Sequence, residues 1–176
     1  MEKRFELLDE HNLGLTWDFR VSPFSCENPE YFEQYLRSFA RIDWRKGIAT
    51  THLLVEEDDV GEKRILGFIS LRASSYTKEL EDSVMGDPAV EIFELAVADG
   101  EEQSGIGTAL VKYAIGLAAD LRGYIGVKYV LVLATETAAP FYEKIGFARV
   151  GSIGQVPRDY TNKNCVPMYA LLPEES

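Results

Sequence analysis

The residues whose types and spacing could do chemistry stand between Glu91 and Thr108. Glu91-Ile92-Phe93-Glu94-Leu95-Ala96-Val97 reads as a strand, and Ala98 to Gln103 leads from it into Ser104-Gly105-Ile106-Gly107-Thr108 and then an apolar run of helical period. Two glycines separated by one residue let the backbone approach a bulky ligand, because no Cβ stands in the way. The helix that follows opens with unpaired N–H groups and the positive end of its dipole. An anion, phosphate or pyrophosphate, is therefore expected at Gly105 to Thr108. A dinucleotide fingerprint would need a third glycine three residues after the second, and position 110 is Leu. A P-loop would need Gly-Lys-Ser/Thr, whereas Gly107 is followed by Thr108-Ala109. Two carboxylates, Glu91 and Glu94, lie on the strand before the turn. Their separation puts them on opposite faces of a regular strand, so a cleft would receive one of them at most unless a bulge intervenes.

The elements that must position these groups follow from periodicity. Residues 1 to 9 suit a first strand, and the aromatic stretch from His11 to Pro29 has no clean period. Asn28-Pro29 is a helix start, an N-cap followed by proline at the first helical position. Tyr31, Phe32, Tyr35, Leu36, Phe39, Ile42 and Trp44 recur at helical spacing until Gly47, predicting a helix over 29 to 46. Arg37, Arg41 and Arg45 share one face of it, either solvated or a patch for an anion. Thr50 to Glu56 and Ile65 to Leu71 predict an antiparallel hairpin, and residues 72 to 88 a long loop open to substrate. After the strand Val90 to Val97 come a helix over Thr108 to Leu121 and a buried strand over Val127 to Ala134. A short helix over Thr137 to Ile145, capped by Gly146, precedes strands over Phe147 to Ile153 and Val166 to Leu172, joined by a polar loop over Gly154 to Asn164. This order gives a mixed, twisted sheet with helices on both faces.

Composition bounds the classes. The 176 residues, 46% hydrophobic, suit one domain over 1 to 176 with a core that needs no disulfides or metal. Cys26 and Cys165 are too few and too distant for a disulfide framework or zinc pattern, so two buried thiols are expected, and His11 and His52 form no ligand pair. No apolar run is long enough to span a bilayer, and Met-Glu-Lys-Arg-Phe-Glu lacks a signal peptide's apolar core, which points to a cytoplasmic protein with no membrane partner. The formal charge of -11, from 29 acidic and 18 basic residues, favours cationic substrates over nucleic acid.

Leu95-Ala-Val97, a first turn glycine eight residues after Val97, Leu110, and then Ala139-Pro-Phe-Tyr142-Glu-Lys-Ile-Gly146-Phe147 together resemble the GNAT N-acetyltransferase superfamily, over most of the chain from about residue 24. The resemblance implies an α/β (α+β), mostly antiparallel sheet whose central strands splay apart at Val97 and Ala134. Its cosubstrate would be acetyl-CoA, held by Leu95, Ala96, Val97, Gln103, Ser104, Gly105, Ile106, Gly107 and Thr108. It further implies that the Val97 N–H serves the oxyanion, that Tyr142 protonates the leaving sulfur, and that Glu91, Glu94 or a water is the base. Where the family usually has Gln or Arg, position 102 is Glu, and position 104, often basic, is Ser. A carboxylate there would repel pyrophosphate unless it turned into solvent, which keeps a non-catalytic acyl-CoA module among the readings.

Phe24-Ser-Cys26, Tyr35-Leu36-Arg37, Ala40, Lys46-Gly47-Ile48-Ala49-Thr50-Thr51 and Gly67-Phe68 look like the GNAT toxins of toxin–antitoxin pairs, which acetylate the amino group of aminoacyl-tRNA. That group is usually basic, unlike this chain. The expectation is thus an N-acetyltransferase for a primary amine of a small molecule, peptide or protein, with aminoacyl-tRNA as the alternative acceptor. A homodimer is a state that family members often adopt.

Overall fold

The computed structural model describes residues 1–23, 28–80, 83–150 and 165–173. Its strands are β1 Glu2–Leu7, β2 Thr50–Glu57, β3 Lys63–Leu80, β4 Ser83–Val97, β5 Tyr129–Thr135, β6 Ala148–Arg149 and β7 Cys165–Leu171. They form one open sheet in the order β1-β2-β3-β4-β5-β7-β6. Pairing is antiparallel for β1 with β2, β2 with β3, β5 with β7 and β6 with β7. The β4 to β5 pairing is parallel and runs from Ala89↔Tyr129 to Ile92↔Val132, although β4 continues to Val97 and β5 to Thr135. Helices are α1 Pro29–Gln34, α2 Ala40–Arg45, α3 Ile106–Leu121 and α4 Ala139–Ile145, with a short 3-10 segment at Leu13–Trp17. Among the described residues no helix is long and apolar enough to cross a membrane.

Contacts gather in two compact units, Met1–Arg72 with Phe93–Tyr113, and Ala73–Ile92 with Ala114–Ser176. The core of the first unit comprises Leu8, Phe19, Val21, Tyr35, Leu36, Ala40, Leu53, Val55, Ile65, Phe68, Ala96 and Ala98. Phe19 and Val21 come from the aromatic stretch that shows no period in sequence, and they fill this core from an irregular segment. In the second unit Val130, Val132, Ala134, Ala139, Tyr142, Phe147 and Met168 are buried, and Tyr129 sits among Tyr76 and Tyr169.

Two expectations are corrected. Residues 72 to 80 and 83 to 88 are not a loop, because β3 runs on to Leu80 and β4 starts at Ser83. From Arg72 to Tyr76 exposure alternates as in a strand, but the alternating residues are Arg72, Ala73, Ser74 and Ser75, so no apolar period marks it. Second, the helix over 29 to 46 is interrupted by a π turn at Tyr35–Phe39. One widened turn moves the buried side to Tyr35, Leu36 and Ala40 and leaves Phe39, Ile42 and Trp44 44%, 44% and 42% exposed. β2, the start of β3, α3, β5, α4 and β7 match their expected positions within a few residues, and Gly146 takes the left-handed cap at φ 109°. Phe24 to Glu27, including Cys26, and the predicted loop 154–164 lie outside the described residues, as do residues 151–153 of the strand predicted over 147–153, of which the described part holds the two-residue β6, Ala148–Arg149. Cys165 is a half-buried free thiol whose pKa is raised by burial.

Candidate active site

Strand β4 ends at Val97 and the chain then makes a tight, pinned turn. Ala98 N–H donates to Leu66 O at 2.9 Å and Asp99 N–H to Arg20 O at 2.8 Å, which fixes where the turn leaves the sheet. Glu101 is held from outside by Arg64, Nη1 to Oε1 at 2.8 Å, and its carbonyl accepts from Ser104 Oγ at 2.5 Å. Gln103 takes a positive φ of 65°, and Gly105 one of 86° that a side chain would strain. Gly105 O accepts from Ala109 N at 3.0 Å, so Gly105 caps α3 and the N–H groups of Ile106, Gly107 and Thr108 lie in the first turn, where no preceding carbonyl can bond them. Gln103, Ser104 and Gly105 are exposed, and a Cβ built on Gly105 meets nothing within 4 Å. The turn is open to a ligand, and its exposed glycine and the unpaired first-turn N–H groups suit an anion.

The start of α3 is seated unusually close to the sheet. A Cβ on Gly67 of β3 would lie 2.9 Å from the Ala96 carbonyl oxygen, 3.0 Å from Leu110 Cδ1 and 3.1 Å from Ile106 Cγ2. Only glycine permits this approach, so Gly67 sets the position of the helix entry relative to Ala96.

Glu94 is half-buried on β4, and Oε1 accepts the Tyr31 hydroxyl at 2.5 Å. Burial raises its pKa to about 7, against the lowering influence of the Tyr31 bond and of Arg72 and with a small upward push from Asp43. The Arg72 guanidinium stands 4.2 Å from the centre of the Phe93 ring. Tyr31 is the residue that sequence reasoning missed: it reads as one more apolar helix position, and its partner is 63 residues away.

The remaining candidates differ. Glu102 is partly exposed, with Oε1 buried and without a hydrogen-bond partner among the described residues, so its carboxylate is not turned fully into solvent. Glu91 is 5% exposed in the second unit, opposite Leu131 in the β4 to β5 register. Tyr142, also in the second unit, is 6% exposed and its ring packs edge-on against Phe141 and Phe147 at 5.0 and 5.4 Å. Glu94, Leu95, Ala96, Val97 and Gln103 to Thr108 belong together in the first unit. The arginine face is already engaged. Arg37 donates to Glu33 at 3.0 Å and to Phe19 O at 3.1 Å, and Arg41 and Arg45 both reach Glu10, at 2.6 and 3.1 Å.

A family model for the acetyltransferase (GNAT) domain matches residues 49–149, which include β2 to β6, the turn and α4. The chain belongs to the GNAT acetyltransferase family. No curated protein matches this GNAT chain in sequence. Its fold is shared with solved structures of low identity. One is AtaTR bound with AcCoA, at 19% identity and a TM-score of 0.77, covering 97% of this chain and 94% of that one. A tyrosine-to-phenylalanine mutant of KacT gives 18% identity and 0.76, covering 98% and 96%. AtaT complexed with acetyl-methionyl-tRNAfMet gives 20% and 0.74, covering 94% of each chain.

Proposed function

We propose that this GNAT domain is an N-acetyltransferase that uses acetyl-CoA and acts on a primary amine. The observation that carries the reading is the entry of α3, an exposed left-handed Gly105 followed by three first-turn N–H groups. Those of Ile106, Gly107 and Thr108 would hold the pyrophosphate, and the backbone of Leu95, Ala96 and Val97 the pantetheine arm. When bound, the cosubstrate supplies an activated acetyl thioester. Glu94 takes the proton of the attacking amine, for which a carboxylate near neutral pKa is suited. The Val97 N–H is assigned to the oxyanion and the Tyr142 phenol to the leaving sulfur, since a phenol is neutral near pH 7 and donates at short range. Glu91 is the less suited base, being almost fully buried.

The acceptor on this reading is a small-molecule, peptide or protein amine. Aminoacyl-tRNA is the second reading, favoured by the fold shared with AtaT, which one structure holds with acetyl-methionyl-tRNAfMet. The charge of -11 and the engagement of Arg41 and Arg45 by Glu10 weigh against it. Binding of tRNA that weakens steeply with salt would favour it.

Calorimetric titration with acetyl-CoA tests the cofactor site. Micromolar binding is expected, lost in Gly107→Trp and kept in Tyr142→Phe, with the latter losing at least about 100-fold in turnover on an amine panel read by mass spectrometry. Absence of binding to the unaltered chain would overturn the reading, and an unimpaired Tyr142→Phe would remove the acid assignment.

A further inference from the structure

The link between α1 and β4 is specific in its geometry. Asn28 Oδ1 accepts the Tyr31 N–H at 3.3 Å, with Pro29 at the first helical position, so the cap fixes the turn that carries Tyr31. The Tyr31 ring packs edge-on against Phe32 at 5.3 Å and tilts over Tyr35 at 6.4 Å. From that seat its hydroxyl spans to Glu94 Oε1 at 2.5 Å. The other charged groups acting on Glu94 are Arg72 from β3, whose charge lowers its pKa, and Asp43 from α2, whose charge raises it. Tyr31 supplies the direct bond that orients the carboxylate. Burial and the Glu94 charge together push the Tyr31 phenol well above its usual pKa, so the proton of the pair stays on Tyr31.

We infer that Tyr31 is a positioning residue for Glu94: its O–H bond to Oε1 holds the carboxylate in one orientation and favours its ionised form, leaving Oε2 to take the proton from the acceptor amine. This deepens the reading of Glu94 as base and rests on it. An O–H donor bonded to a carboxylate favours the charged form, so its removal shifts the titration upward. A bond to a charged group of this kind corresponds to about one pH unit.

The test uses the full chain and Tyr31→Phe, which keeps the ring and removes one oxygen. Carbon-13 NMR of labelled glutamate carboxyls follows Glu94, assigned by its loss in Glu94→Gln, and needs no activity. Thiol release from acetyl-CoA with lysine amide as acceptor gives the pH profile of kcat/KM, and thermal melts confirm that the variant is folded. Tyr31→Phe should move both the Glu94 titration and the acid limb upward by about one pH unit, with about fivefold less activity at pH 7 and near-full recovery above pH 9. An unmoved Glu94 titration overturns the positioning role. A fully active Glu94→Gln with an unchanged profile removes the base reading instead, and the catalytic role of Tyr31 with it, whatever the NMR titration shows.

Discussion

Replacing Gly67 by alanine probes how closely the entry of α3 is seated. The added methyl would stand 2.9 Å from the Ala96 carbonyl oxygen, a backbone atom that cannot rotate away, and 3.0 and 3.1 Å from the side chains of Leu110 and Ile106. Leu110 and Ile106 are themselves 0% and 5% exposed, so neither has free space to yield into. Overpacking of this kind costs about 1–3 kcal/mol. At about 2–4 °C per kcal/mol for a chain of this length, that is a fall in Tm of about 2–12 °C. Gly116 is the control: it lies in mid-helix on α3 with nothing within 4 Å of its would-be Cβ. Gly116→Ala should gain about 0.5–1 kcal/mol from helix propensity alone. Differential scanning calorimetry on both variants reads the contrast, and titration with acetyl-CoA adds the functional side. Displacement of Ile106 relative to Ala96 should weaken binding by about tenfold in Gly67→Ala, an order-of-magnitude figure for a misplaced site, and leave Gly116→Ala unchanged. A Gly67→Ala protein as stable as its parent, with unaltered affinity, would refute the idea that glycine is needed for close packing there.

Glu94 also shapes stability. Its pKa is raised from 4.5 to about 7, chiefly by burial, so its contribution is fully present below the unfolded value and is lost as pH rises through 7. Glu94→Gln should match the parent near pH 4 and exceed it at pH 8 by up to about 3 kcal/mol in urea titrations; equal stability at both pH values would count against the raised pKa. Glu102→Gln should tighten acetyl-CoA binding about threefold or more by removing a charge near the anion turn, and calorimetry at low salt would show it; weaker binding would mean that the carboxylate serves the ligand.

Much of this arrangement is legible in the residues. Gly105 and Gly146 sit where their left-handed conformations are needed, and the glycine turn after Val97 with the Phe-Tyr-Glu-Lys-Ile-Gly-Phe run identifies the family that the domain match shows. Local signals suffice for such features, since each depends on neighbours within a few positions. What the sequence conceals is long-range or aperiodic. The continuation of β3 beyond Leu71 has period two but in Arg, Ala and Ser, which a reading of apolar alternation passes over. Tyr31 meets Glu94 across 63 residues, and Glu10 captures Arg41 and Arg45 from a segment without regular structure, pairings that no local spacing encodes. The buried Glu102 oxygen likewise depends on the turn as a whole rather than on position 102.

The π turn at Tyr35–Phe39 acts as a phase setting for everything on its N-terminal side. Such a turn holds one residue more than an α turn, and each helical residue advances the azimuth by about 100°. A chain shortened by one residue there would form a regular helix, with Tyr31 rotated away from Glu94 about the axis while Arg41 and Arg45, beyond the turn, kept their places near Glu10. Homologous chains with a one-residue gap at this point would therefore carry the same amino acids and present a different side chain to the carboxylate of β4.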